Sequence, residues 1–315
     1  MRNSLILILK PKQIVKLFIA LACLLTVINL LWENFRSKPF EIEPNSEAPE
    51  IQRGEFLRWE EVDKIFGLYT NATVVDVDTG LSFRVQRRAG EYHADVQPLT
   101  ARDTAIMKVI YNGQWSWQRK AIVVEVGNRR IAASMAGMPH GAGAIRGNNF
   151  DGHFCIHFRD SKVHQSGKEN LAHQMMIWKA AGRFKQMLAS MTPEEVIEVF
   201  FTALDQQDAG LAIKTLHKPA ESEQNLLKSL VSEISRIKVQ RIRPEGGRPH
   251  TYWVYLTVMY RESSNVVEKK VAIQMVNGGE KGWRVDSHGL DTLLSRKATV
   301  EIFNTRDIDE EDLCD

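Results

Sequence analysis

The sequence predicts an α+β chain in three parts: an N-terminal transmembrane helix, a β-rich domain and a second domain of α+β type. Three observations predict this order. An apolar run lies near the N-terminus, strand patterns recur between residues 74 and 134, and three helical patterns followed by four strand patterns fill residues 191–290. The predicted segments are 1–37 (cytoplasmic tip and anchor), 38–54 (linker), 55–189 (first domain), 190–292 (second domain) and 293–315 (acidic tail).

Composition places the chain among ordinary globular proteins. It has 315 residues, of which 43% are hydrophobic and 25% are charged, and a chain of this length typically forms about two domains. Its 41 basic and 39 acidic residues leave a net charge of +2. Because nucleic-acid binding needs an excess of positive charge, this balance argues against a nucleic-acid partner. Three cysteines are too few for a disulfide-stapled scaffold.

The first part is interpreted as a membrane anchor. Residues 14–32 carry only one charge, that of Lys16, and a helix of this length extends about 28 Å, close to the apolar thickness of a bilayer. Three basic residues precede the run, namely Arg2, Lys10 and Lys12. The positive-inside rule then predicts a single-pass protein of the cell membrane, with a cytoplasmic N-terminus and an extracytoplasmic bulk, as in bacteria. A cleaved signal peptide and a lipoprotein cysteine at Cys23 are the alternatives.

The first domain is expected to contain two hairpins and two helices. The hairpins are predicted because apolar and polar residues alternate on both sides of a glycine-containing turn. Their strands lie at 74–78, 81–85, 121–126 and 130–134. The helices are predicted from the spacing of apolar residues, at 103–111 and 171–188.

The second domain opens with a strong helix start. Thr192 is the predicted N-cap, Pro193 the first helical residue and Glu195 the partner in a capping box. Two more helices are predicted at 209–216 and 221–232, followed by strands at 237–243, 252–260, 266–276 and 283–287. Helices that precede antiparallel strands in this way indicate an α+β domain.

This second segment resembles the domains of the nuclear transport factor 2-like superfamily. The matching features are TPEEVIEVFFTALDQQDAGLAIKTL at its start and GWRVDSHG at its end. The resemblance implies a cone-shaped α+β domain, built from an opening helix, a short second helix and a curved sheet. Many domains of this superfamily are non-catalytic, so contact with a protein partner is one expected role. Fold alone does not determine function, and the role therefore stays open.

Histidines are concentrated in the middle of the chain. Five of them fall within 34 residues around Cys155, namely His140, His153, His157, His164 and His173. His153, Cys155 and His157 alternate, so a strand here places all three on one face. The residues between and after them are Phe154, Ile156 and Phe158, which are expected to be buried on the other face.

Three chemistries are compatible with this cluster. Cys155 is a nucleophile if a nearby histidine takes its proton, because the thiolate is the reactive form. The same side chains are a zinc site if His153, Cys155 and His157 act as ligands, with His140 as a fourth. In the third interpretation the histidines are surface residues and the thiol is inert. The leading interpretation needs no metal or other cofactor, and zinc is the alternative.

The cluster resembles the catalytic motif of L,D-transpeptidases of the YkuD type. That family carries a His-Gly pair and, after roughly a dozen residues, a Ser-His-Gly-Cys-x-Arg/Asn segment that ends a strand. Here His140-Gly141 matches the first part and the run from Gly152 to His157 matches the second. Phe154 stands where the family has glycine, His157 where it has arginine or asparagine, and Gly152 where it has serine.

The resemblance implies an acyl-transfer site on a β-rich domain. Cys155 is then the nucleophile that accepts the acyl group, and His153 is the base that activates it. His140 and His157 complete the catalytic candidates. The substrate-binding candidates are Gly141, Gly152, His93 and Asp95, the last two because they alternate along the chain and are expected to share a face.

The remaining titratable residues are given bland interpretations. His164 and His173 are expected at the rim of the site or in a structural role. Cys314 is the other cysteine outside the predicted anchor, so a disulfide with Cys155 is an alternative that would silence the nucleophile.

The predicted function is cysteine-dependent acyl transfer or hydrolysis on peptidoglycan stem peptides, by a membrane-anchored extracytoplasmic protein. Peptidoglycan, the membrane and a protein partner for the second domain are the expected partners. A zinc-dependent cell-wall peptidase and a non-catalytic envelope binding protein are the two alternatives. The zinc peptidase would use the same histidines, so metal content separates it from the cysteine enzyme.

Overall fold

The computed structural model describes residues 12, 24–27, 53–163, 167–261, 266–288 and 290. The chain divides into two compact units, Met1–Pro49 and Glu50–Asp315. In the first unit the described residues, 12 and 24–27, are helical and exposed. All of the elements below belong to the second unit.

The structure corrects the predicted fold class. Among the residues described, no helix combines the length and the apolar character needed to cross a membrane. The transmembrane helix, and with it the single-pass location in the cell membrane, was therefore wrong as a prediction. An apolar run reports hydropathy only: of the predicted span at 14–32, residues 24–27 are described as helix and the rest lies outside the described residues. The fold is a mixed α/β architecture with a closed six-stranded barrel and a second, five-stranded sheet.

The barrel contains both predicted hairpins. Its strands are β1 (Asn71–Asp76), β2 (Ser82–Ala89), β3 (Ala94–Pro98), β4 (Arg119–Val126), β5 (Arg129–Ala136) and β6 (Phe154–His157), in the order β1-β2-β3-β6-β5-β4. Antiparallel pairing of β1 with β2 and of β4 with β5 confirms the two hairpins. The barrel closes because β1 also pairs with β4.

Two helices pack on the apolar core of the barrel. They are α1 (Trp59–Ile65) and α2 (Ala101–Ile110). Thr100 caps α2 by accepting a hydrogen bond from the Asp103 backbone N–H, which confirms the helix predicted at 103–111 and moves its start by two residues. Phe83, Phe154 and Ile131 are fully buried members of this core.

The single helix predicted at 171–188 is two helices. They are α3 (Leu171–Ala180) and α4 (Phe184–Ala189). The break occurs at Gly182, whose φ of 68° is a left-handed conformation that ends a helix. Periodicity alone missed this break because the apolar spacing continues across it.

Four strands of the second sheet follow the three predicted helices, and a short strand that was not predicted, at Leu216–His217, lies between the second and third helices. The helices are α5 (Pro193–Asp205), α6 (Ala209–Lys214) and α7 (Glu221–Glu233), and the strands are β7 (Leu216–His217), β8 (Ile234–Pro244), β9 (Thr251–Tyr260), β10 (Val266–Asn277) and β11 (Trp283–Asp286). Their order is β7-β11-β10-β9-β8. Thr192 and Glu195 form the predicted capping box at the start of α5.

One apolar core joins α3 to the second sheet. Met175 and Ile177 of α3 belong to the same cluster as Phe200 of α5 and Val254 of β9. A hydrogen bond also links the barrel to α5. The side-chain oxygen of Gln206, at the end of α5, accepts a hydrogen bond of 2.7 Å from the backbone N–H of Arg119 in β4. The apolar core thus contains residues from both sides of residue 190, where the sequence predicts a boundary between two domains. That boundary stays a prediction.

Candidate active site

Strands β3 and β6 bring the predicted site residues to one face. Asp95 and Cys155 are direct antiparallel partners, so their side chains share a face. On the opposite face, Phe154 and Ile156 lie in the barrel core. The sharing of a face by alternate residues is therefore confirmed. Both strands are buried along their whole length, and so the polar face is covered too.

Cys155 lies against His140. The Sγ atom is 3.3 Å from His140 Nε2, and His140 Nδ1 is 2.9 Å from the backbone oxygen of Met138. A carbonyl oxygen only accepts, so Nδ1 carries the proton and Nε2 of the neutral ring is left to accept the thiol proton. Burial lowers the pKa of His140 below its ordinary value, which favours the neutral ring at pH 7.

Two glycines allow the His140 and Cys155 segments to approach closely. Residues His140 and His153 form an isolated antiparallel bridge, with N···O distances of 3.0 and 2.8 Å. Gly152 has a φ of 100°, and a Cβ added there would lie 2.3 Å from the backbone oxygen of His140. A Cβ on Gly141, whose φ is 60°, would lie 2.4 Å from the His153 ring. Gly141 and Gly152, which the sequence analysis gives as substrate-binding candidates, therefore allow the His140 and Cys155 segments to lie close together.

Asp95 and His93 form a pair on the other side of the thiol. Asp95 Oδ1 lies 3.7 Å from Cys155 Sγ and 3.2 Å from His93 Nε2. His93 Nδ1 donates to the backbone oxygen of Lys162 at 2.9 Å, so this nitrogen is protonated. A buried imidazole and a buried carboxyl group therefore lie beside the sulfur.

The sequence predicts His153 as the base of Cys155, but its ring nitrogens face other groups. Its Nδ1 is 3.1 Å from the backbone oxygen of Ala142, and its Nε2 is 3.9 Å from Asp95 Oδ1. Its side chain is 21% exposed, against 9% for that of Asp95. The geometry therefore favours His140 over His153 as the base, and places His153 at the solvent edge of the site.

Three histidine rings stack behind Cys155. The ring centroids of His93 and His157 are 4.2 Å apart, and those of His157 and His173 are 3.8 Å apart. His173 Nδ1 lies 2.9 Å from the Ser134 hydroxyl. Burial, with a contribution from the charge of Arg119, lowers the pKa of His173 well below its ordinary value, so that ring is neutral. His173 is thus part of the cluster interior, whereas His164 lies outside the described residues.

Two site residues were missed by sequence reasoning. Gln97 donates to the Gly152 backbone oxygen at 2.6 Å and accepts from the Ala144 backbone N–H at 2.7 Å, and so holds the loop before β6. Its position two residues after Asp95 was a usable signal, because alternate residues share a face. Trp117 packs on His140 with ring centroids 5.3 Å apart, and nothing in the sequence linked these two rings.

A cleft begins beside the His140 ring. Its volume is about 370 Å³, and its lining includes Trp117 and Met138, the two residues that hold His140. Trp115 contributes a second aromatic wall, while Arg236 and Arg261 add positive charge from the side of the second sheet. The cleft therefore combines aromatic and cationic groups with one carboxyl group, that of Asp205, beside two residues that contact His140.

Part of the cluster also has the geometry of a metal site. One ligand atom from each of His93, Cys155 and His157 lies within 4.8 Å of the other two, and all three residues are buried. Nitrogen and sulfur donors of this kind are the ligands that zinc prefers.

Comparison with known proteins adds no family. No protein-family model matched the chain, and a search of curated proteins found no match. The resemblance to L,D-transpeptidases and to nuclear transport factor 2-like domains therefore stays a prediction, and function has to be inferred from the atoms of the site.

Proposed function

We propose that this chain is a cysteine-dependent acyl transferase or hydrolase with Cys155 as nucleophile and His140 as general base. One observation carries the proposal: Sγ lies 3.3 Å from a histidine nitrogen whose ring is oriented through its other nitrogen by a backbone carbonyl. Nucleophile, base and an orienting third group are the parts that covalent acyl transfer needs.

The reaction starts with proton transfer from the thiol to His140 Nε2. The thiolate attacks a peptide carbonyl carbon, and a tetrahedral intermediate forms. When it collapses, the carbon–nitrogen bond breaks and the His140 imidazolium donates its proton to the leaving amine. The acyl group is then held as a thioester on Cys155. His140, neutral again, removes a proton from an incoming amine or water, which releases the new amide or the free acid.

Asp95 and His93 are positioning residues in this scheme. Asp95 Oδ1 lies 3.7 Å from the sulfur and 3.2 Å from His93 Nε2, so the two side chains pack beside the thiol and limit its movement. Lys162 anchors the pair through its backbone oxygen. Cys155 is thus held between two histidine rings, each of which has one nitrogen fixed by a backbone carbonyl.

Peptidoglycan stem peptides are the proposed substrate class. The motif from His140 to His157 supports this class through its resemblance to L,D-transpeptidases. The cleft near His140 supports it chemically, because its two arginines, Arg236 and Arg261, outnumber its one acidic residue, Asp205, and suit the carboxylates of such peptides. Trp117 offers an apolar wall. The second sheet, which contributes Arg236, is proposed to serve binding rather than catalysis.

The test is to trap the thioester. The full-length protein is mixed with stem peptides, quenched in acid and examined by mass spectrometry. We expect an acyl adduct on Cys155, its loss in Cys155→Ala and its retention in Cys314→Ala, the matched control at another cysteine. Absence of an adduct, together with unchanged peptide turnover in Cys155→Ala, would overturn the proposal. Binding of the peptide with no adduct and no turnover would indicate a non-catalytic binding protein.

A further inference from the structure

His93, Cys155 and His157 converge on one buried point. Their ligand atoms lie within 4.8 Å of one another, although His93 is far from the other two in the sequence. His93 and His157 are also stacked, with ring centroids 4.2 Å apart. Acyl transfer uses His140 as the base of Cys155, and it gives His157 no role.

We infer that these three residues form an inhibitory binding site for a soft divalent cation such as Zn²⁺, and that metal occupancy switches off the Cys155 thiol. This inference rests on the proposed function, because the reaction that the metal blocks is acyl transfer at the same sulfur.

The donor set fits zinc in type and in size. Thiolate sulfur and imidazole nitrogen bind zinc at about 2.3 and 2.0 Å, which places the ligand atoms of a tetrahedral site about 3.3–3.6 Å apart. The ligand atoms lie within 4.8 Å of one another, so a tetrahedral site requires movements of about 1 Å. It also requires one of the two stacked rings, whose planes differ by 20°, to rotate until both nitrogen lone pairs point at the ion. Because all three residues are buried, water competes weakly for the ion.

The orientation of His93 is also that of a metal ligand. Its Nδ1 donates to the Lys162 backbone oxygen at 2.9 Å, which leaves Nε2 pointing toward the thiol face. Ligating histidines usually donate their second ring nitrogen to a carbonyl or carboxylate in this way.

Metal binding and acyl transfer exclude each other. Zinc binds the thiolate, so the sulfur loses its proton to solvent and its reactive electron pair to the metal–sulfur bond. His140 Nε2, which lies 3.3 Å from the sulfur, then has no thiol proton to accept. No electron transfer is involved, and removal of the metal restores the free thiol.

His157 separates the two activities. It supplies a metal ligand, whereas the base is His140. His157→Phe keeps an aromatic ring in the stack and removes the ligating nitrogens. His173→Phe is the matched control, because His173 stacks on the other side of His157, at 3.8 Å, and is not a ligand.

The experiment measures alkylation of Cys155 by iodoacetamide in the full chain, with and without zinc chloride. Peptide mapping by mass spectrometry separates Cys155 from Cys23 and Cys314, and elemental analysis gives the bound zinc. We expect one zinc per chain and alkylation slowed at least about tenfold by zinc in the native protein and in His173→Phe. In His157→Phe, zinc affinity is expected to fall by about 10–100-fold or more, with the zinc-free alkylation rate retained.

The outcomes keep the two proposals apart. If zinc leaves the alkylation rate unchanged while Cys155 still forms the thioester, the metal site is refuted and the acyl transferase stands. If zinc protects Cys155 but no thioester forms in its absence, the metal site stands and the acyl transferase is refuted. Equal protection in His157→Phe and the native protein would also overturn the assignment of ligands.

Discussion

The barrel and the five-stranded sheet differ in what they bury. In β10 of the sheet, buried and more exposed residues alternate from Lys269 to Met275, and the buried ones are apolar except Lys269. In β3 and β6 of the barrel every residue is buried, and one face carries Asp95, Cys155 and His157. The sheet thus has one dry apolar face, whereas this part of the barrel has a second covered face that is polar.

This difference makes the polar face of the barrel, and not the sheet, the candidate place for chemistry. Burying a polar group is unfavourable unless it is hydrogen-bonded, so a buried ionisable cluster is not a consequence of folding alone. The barrel meets that requirement with backbone carbonyls of Met138, Lys162 and Ala142, each within hydrogen-bond distance of one histidine Nδ1. Changes at Cys155 and at His140, which contacts its sulfur, are therefore expected to affect reactivity, and changes in the sheet core are expected to affect stability.

The largest expected effect is on the rate, from His140→Asn. Loss of the general base should lower the rate of Cys155 acylation by about 10²–10⁴-fold. His153→Asn is the matched variant and should lower it by less than about tenfold, because His153 Nε2 faces Asp95 at 3.9 Å. Rapid-quench mass spectrometry measures both rates. A larger loss in His153→Asn than in His140→Asn would restore His153 as the base.

In the sheet core, Leu256→Ala should act on stability alone. Leu256 of β9 is 3% exposed, and removing its side chain is expected to lower the free energy of unfolding by about 2–5 kcal/mol. The acylation rate of the folded protein should stay within about twofold, since distant sites act independently. Urea unfolding and the acylation assay measure the two quantities. A large loss of rate in folded protein would mean that the sheet core shapes the site.

Gly152→Ala tests the close approach of the two catalytic segments. Its Cβ would lie 2.3 Å from the His140 backbone oxygen, so we expect a loss of about 1–3 kcal/mol in stability and slower acylation as His140 is displaced. Gly127→Ala is the control, because Gly127 also has a positive φ but nothing lies within 4 Å of its Cβ position. Equal acylation rates in the two variants would show that the bridge between His140 and His153 adjusts freely.

The smallest effect concerns a buried carboxyl of the barrel outside the site. Burial raises the pKa of Asp76 above 3.8, although Thr79 opposes this by donating hydrogen bonds. The folded state then holds the proton more tightly than the unfolded state does. Stability is therefore expected to fall as pH rises from 3.8 through the raised folded value, and Asp76→Asn should remove that slope. Urea unfolding across this pH range measures it; an unchanged slope in the variant would assign it to another group.

Much of the fold was predictable because its signals are local. The hairpin of β1 and β2 follows from alternation around a turn, and the start of α5 follows from the capping residues Thr192 and Glu195. The break at Gly182 was not predicted, since glycine is tolerated inside helices and its φ of 68° depends on the surrounding packing. The prediction of a membrane helix was wrong because it rested on hydropathy alone. Among the described residues, no helix is long and apolar enough to cross a membrane.

By itself, the sequence determined which residues share a face. Alternation placed His153, Cys155 and His157 together, and His93 with Asp95, because side chains on a strand point to opposite faces in turn. Only the tertiary structure decided which histidine meets the sulfur. The pairing of β3 with β6 joins segments about 60 residues apart in the sequence, and the His93 ring is oriented by the backbone oxygen of Lys162, 69 residues further along the chain. Contacts of that kind depend on chain closure, which no local pattern records.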